Sequence, residues 1–149
     1  NEFTDFFTAE TSRSVGQCGT NNLKGKRNTR FPKWSGNVSS TYTHSLSGPW
    51  STYVRGDVSY TGAAPVDTCN RATLDDYYLV NARIGVEKDD LRLELYVKNL
   101  FDEDAWRGGN NFGDYASTRG NFFRPLSAPG IILIPQDKRT IGIRVSLEF

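Results

Sequence analysis

The sequence predicts an all-β chain: an antiparallel meander of about six or seven long strands, of the kind that builds the wall of a transmembrane barrel. Three observations predict it. The closing segment "RTIGIRVSLEF" alternates strictly, with Ile141, Ile143, Val145, Leu147 and Phe149 on one side and Thr140, Gly142, Arg144, Ser146 and Glu148 on the other. A period of two is that of a strand with one apolar and one polar face. Similar segments recur at about nine to twelve residues, longer than common globular strands and suited to a tilted bilayer crossing. Finally, the polar faces carry full charges, whereas Trp34, Trp50, Tyr60, Tyr77, Tyr78 and Phe149 stand near strand ends. Amphipathic rings settle at lipid–water interfaces.

The elements follow in order. "NEFTDFFTAE" reads as a first strand. "KWSGNVSSTYTHSL" sets Trp34, Gly36, Val38, Ser40, Tyr42, His44 and Leu46 on one face, and "SGP" then turns the chain. "WSTYVRGDVSY" groups Trp50, Thr52, Val54, Gly56, Val58 and Tyr60 against Tyr53, Arg55 and Asp57. "YYLVNARIGVE" sets Tyr78, Val80, Ala82, Ile84 and Val86 against Asn81, Arg83 and Glu87. After a tight "KDD" turn, "LRLELYVKN" opposes Leu91, Leu93, Leu95 and Val97 to Arg92, Glu94, Tyr96 and Lys98. A further strand is expected to begin near Ala105 and Trp106. Alternation does not say which face is inside. A small sandwich or lipocalin-like barrel would bury the apolar face, and a transmembrane barrel would turn it outward to lipid.

Composition excludes several functions. With 18 basic and 17 acidic residues among 149, no field draws in nucleic acid or an anionic membrane surface. The one basic run, "LKGKRNTR", is read as a solvated turn. No apolar stretch approaches the roughly 18 residues of a membrane helix, which leaves a barrel open because its strands show lipid only every second side chain. "NEFTDFFTAE" has no signal-peptide pattern. No metal-ligand spacing surrounds Cys18 or Cys69, so neither metal nor cofactor is expected. An oxidising compartment would allow the two to pair, but sequence does not place them within bridging distance. The acidic pairs Asp75-Asp76, Asp89-Asp90 and Glu103-Asp104 fall in turns, where Asp bonds locally, and not in a catalytic cleft. His44 has no partner base or nucleophile, and "NVS" at Asn37 falls mid-strand, where a glycosylation match is chance.

Longer motifs narrow the choice. "YYLVNARIGVEKDDLRLELYVKNLFDEDAW", with "RTIGIRVSLEF" at the end, resembles the C-terminal part of TonB-dependent outer-membrane receptors. Upstream, Gly25, Lys26, Pro32 and Trp34 match the family's "G-K-x-x-x-x-x-P-x-W" lead-in to an earlier strand. One departure is that Pro135 stands apart from Arg139-Thr140, where the family often has Pro-Arg-Thr together.

The resemblance implies that residues 1–149 are a C-terminal fragment of a barrel domain of about 22 strands, with plug domain and N-terminal barrel strands absent. It implies a non-enzymatic, TonB-energised receptor in the outer membrane of a Gram-negative-type bacterium, taking up a scarce ligand such as an iron–siderophore, a cofactor or a saccharide. Its partners would be outer-membrane lipid, the TonB complex through the missing plug region, the barrel assembly machinery and the small-molecule ligand. Asn99, Leu100, Phe101 and Asp102 would form a periplasmic turn, from which the next strand rises to an external loop. The last strand would then descend to Phe149, the assembly signal. Within that loop, Phe112, Tyr115, Arg119, Phe122, Phe123 and Arg124 are the ligand-contact candidates, through stacking and charge; the plain alternative is a surface loop without a ligand. From a different class, a self-contained small β-barrel binding module or adhesin also fits the alternation.

Overall fold

A computed structural model describes Glu2, residues 23–113 and residues 129–148. The described residues form nine strands in chain order: β1 Ser35–Ser45, β2 Trp50–Thr61, β3 Ala64–Pro65, β4 Thr73–Leu74, β5 Tyr77–Lys88, β6 Leu91–Lys98, β7 Trp106–Gly113, β8 Pro129–Pro135 and β9 Thr140–Leu147. The described residues contain no helix. The strand expected in "NEFTDFFTAE" lies outside them except for Glu2, which bridges to Arg27.

The chain divides into two compact units. One is a five-stranded antiparallel sheet in the order β1-β2-β5-β6-β9. Its turns are made as their residues demand. Leu46 N–H donates to Trp50 O at 2.8 Å across a loop in which Gly48 takes φ 71°. Asp89 takes φ 48° between Lys88 and its partner Leu91, a backbone region that Asp tolerates. The register sets Val54 beside Ile84, Ile84 beside Leu95, and Leu95 beside Ile143, so the apolar faces inferred from sequence form one continuous surface. Arg55, Arg83, Tyr96 and Gly142 run in register across the other face.

The other unit comprises residues 1–33, 62–76 and 106–135. Leu23, Ala64, Pro65, Val66, Asp67, Cys69 and Leu74 are buried in it. Its loop is pinned by Asn70, which turns at φ 55°, accepts from Arg27 N–H at 2.6 Å and donates to Arg27 O at 2.9 Å. Arg27 Nη2 also donates to Ala63 O at 2.8 Å, so the basic run is partly structural where a purely solvated turn was expected. Cys69 is disulfide-bonded; the one other cysteine in the sequence, Cys18, lies outside the described residues. The β7–β8 hairpin belongs to this unit, and a side chain at Gly109 would press on Val66 at 3.0 Å.

Candidate functional site

The two faces of the large sheet differ in a way that alternation alone left open. On the apolar face the side chains are exposed: Ile143 is 76% accessible, Val38 73% and Ile141 68%. On the polar face Glu94 is only 6% accessible. The sheet therefore gathers its charges together and turns its aliphatic side chains outward. A soluble sandwich would do the reverse.

Rings frame the apolar face. Tyr60 and Tyr78 are register partners with ring centroids 4.7 Å apart, and Trp34 stands at the same end of the sheet. Trp50 stands at the other end, with Lys88 Nζ 5.4 Å from its ring centroid. Trp50 and Tyr60 bracket β2; the interval spans about 33 Å at ~3.3 Å per residue, or about 25 Å of height at a ~40° tilt, close to a barrel's apolar band.

The polar face is cross-linked over several strands. Tyr53 on β2 donates its hydroxyl to Glu94 Oε2 on β6 at 2.7 Å, crossing β5 at Gly85. Only glycine leaves that path open, since a Cβ at Gly85 would lie 2.5 Å from the Tyr53 ring. Arg144 on β9 reaches Glu94 Oε1 at 3.1 Å. Arg55 donates twice to Asp57 Oδ1, at 3.0 and 2.9 Å, and Arg83 donates to Asp57 Oδ2 at 3.4 Å. Arg92 pairs with Glu87 at 2.8 Å. The same crossing recurs once. Tyr96 on β6 lies over Gly142 on β9, where a Cβ would meet its hydroxyl at 2.5 Å. A shallow depression of about 120 Å³ lies here, lined by Asn81, Ala82, Arg83, Glu94, Tyr96, Val97, Lys98 and Arg144.

The Asn-Leu-Phe-Asp motif acquires a physical reason. Asn99 and Asp102 both take left-handed backbone angles, φ 51° and 56°, which Asn and Asp tolerate best after Gly. The buried Asn99 amide donates to Glu103 O and Asp137 O, both at 3.0 Å, and accepts from Glu103 N–H at 2.8 Å. Asp102 Oδ1 accepts from Arg139 N–H at 2.8 Å. The motif thus clasps the chain leaving β6 to the chain entering β9.

The register fixes where this clasp stands in the sheet. The sequence placed the Asn99–Asp102 turn and the chain end on the same, periplasmic side, with the next strand between them. Here β6 pairs directly with β9, Lys98 against Thr140 and Leu91 against Leu147, so the motif and Leu147 lie at opposite ends of the sheet. β7 begins at Trp106 as expected but pairs with β8. Between them in sequence, β7 and β8 pair antiparallel, and Asn99 and Asp102 tie the chain leaving β6 to the chain entering β9. Of the six ligand-contact candidates, Tyr115, Arg119, Phe122, Phe123 and Arg124 lie outside the described residues; Phe112 is in β7, paired with Gly130. Phe149 also lies outside them. Sequence reading missed the cross-strand tyrosine–glycine pairs; the signal was Tyr53, Gly85, Tyr96 and Gly142 all on polar-face parity.

A family profile described as TonB dependent receptor-like, beta-barrel matches residues 2–100, about two thirds of the chain. The chain belongs to this family, one of outer-membrane receptors and transporters and not of enzymes. No solved structure matches it.

Proposed function

We propose that this chain forms part of the barrel wall of an outer-membrane receptor that takes up a scarce ligand, an iron–siderophore, a cofactor or a saccharide, with energy from TonB. The observation that carries this is the inverted sheet, aliphatic side chains outward and ion pairs together, inside the family the profile defines. The disulfide at Cys69 fits a compartment outside the cytosol. β1 and β9 are the edges of the sheet, and an edge in lipid must be paired. Further strands of a larger barrel would do this, with a plug domain and the TonB complex acting on the assembled receptor and the barrel assembly machinery reading Phe149. If the end bearing Leu147 is periplasmic, as the family resemblance implies, Asn99–Asp102 sits at the external end as the foot of a long loop. A self-contained binding module is the second reading, and the exposed aliphatic face counts against it.

Spin labels at positions 143 and 144 of the intact receptor in lipid test the orientation. The label replacing Ile143 should be accessible to oxygen and shielded from a water-soluble nickel chelate, and the label replacing Arg144 the opposite. Equal chelate accessibility at both would remove the barrel assignment.

A further inference from the structure

The geometry points to the depression over Tyr96 as a binding site for a small carboxylate, held by Arg83, Lys98 and Arg144. Its lining carries three cations and one carboxylate. That carboxylate, Glu94, is already committed to Tyr53 and Arg144 and is nearly buried. The cations are not similarly saturated. Arg144 spends one donor on Glu94, and Arg83 spends one long contact, 3.4 Å, on an Asp57 that Arg55 already holds twice. A guanidinium has five N–H donors in a fork matched to a carboxylate. Among the described residues Lys98 has no carboxylate partner; its ammonium rests 5.8 Å from the Tyr96 ring centroid, and Arg144 Cζ lies 5.5 Å from the same ring. Two cations are therefore gathered at one ring, with Arg83 as that tyrosine's register partner.

The cations are open to solution, with the Arg144 side chain 56% and the Arg83 side chain 36% accessible, so an incoming anion can reach them. The Tyr96 hydroxyl, lying over Gly142, adds a neutral donor beside them. The space admits an acid headgroup but no large ring system, so the site would take the carboxylate end of a ligand. A single carboxylate can engage Arg83 and Lys98 without disturbing the Glu94–Arg144 pair. This inference rests on the polar face being the wet lumen, and it makes a carboxylate-bearing ligand the one this stretch of wall favours.

The test is calorimetric titration of succinate into the intact, detergent-solubilised receptor at constant ionic strength, with succinamide as the neutral isostere and inorganic phosphate as the other oxyanion. Succinate should bind, and succinamide should not. Lys98→Gln and Arg83→Gln should each weaken succinate binding about ten-fold or more, the scale of a lost charge-assisted hydrogen bond. Lys98→Arg should restore most of the affinity. Lys98 makes no ion pair in the sheet, so its replacement leaves the Glu94 and Asp57 networks standing. Absence of succinate binding, equal binding of succinamide, or binding that survives both substitutions overturns the assignment. Tighter binding of phosphate than of succinate overturns the carboxylate class. The spin-label accessibilities report the orientation separately, so failure of the site and failure of the barrel reading are distinguishable.

Discussion

Asn99 shows how much one residue can carry. It is 4% accessible, turns the chain at φ 51°, and satisfies both ends of its amide with three backbone partners. Alanine there would lose all three bonds and oppose the backbone angle. With each bond worth about 1 kcal/mol and the angle about as much again, Asn99→Ala should cost ~2–4 kcal/mol of stability. Asn99→Gly relieves the angle but not the bonds and should fall between. Urea unfolding of the three proteins would show the order, and an alanine variant as stable as the parent would remove the clasp. Gly85 acts by what it lacks. Gly85→Ala would press a methyl into the Tyr53 ring and disrupt its bond to Glu94, at a cost of about 1–3 kcal/mol, the usual scale of overpacking. In a Tyr53→Ala background the same change should be nearly neutral. A double-mutant cycle reads that coupling, and additive effects would mean the ring and the glycine do not depend on each other.

At the scale of the element, β9 carries the clearest contrast. Val145 is 59% accessible on the apolar face, and Ser146 sits one residue on, opposite Arg92 on the charged face. If the apolar face meets lipid, Val145→Arg at mid-depth should cost about 2–4 kcal/mol, whereas Ser146→Arg should cost much less. Equal destabilisation of the intact barrel would reverse or abolish the facing. The family resemblance carries a separate proposal, for Phe149 as an assembly mark. Deleting Phe149 from the intact receptor should lower folded outer-membrane yield far more than synthesis, read by heat-modifiable gel mobility. An unchanged folded fraction would remove its role as an assembly mark.

For the whole molecule, the division of labour is between a wall and the segment it holds. The β6–β9 pairing and the Asn99 clasp bring the chain leaving β6 and the chain entering β9 together at one end of the sheet. Loops on a rigid scaffold concentrate binding residues. Deleting part of residues 114–128 should weaken binding of the natural ligand and leave barrel folding intact, as titration on the folded, solubilised receptor would show. Unaltered affinity would move ligand choice to other parts of the barrel.

The sequence alone determined the local structure of this sheet. Side-chain parity along β1, β2, β5, β6 and β9 and the turn residues at Gly48 and Asp89 are local properties, set by the two-residue period and by backbone sterics. Strand identity and the composition of each face were therefore legible without coordinates. Which strand lies beside which was not. A local pattern marks β7 as a strand but carries no information about its neighbour, and the pairing of β6 with β9 depends on contacts between residues about fifty positions apart, such as Glu94 with Arg144. The same limit hid the candidate site. Arg83, Tyr96, Lys98 and Arg144 come from three strands, and only the register, with two glycines leaving room for two tyrosines, brings their charges to one place.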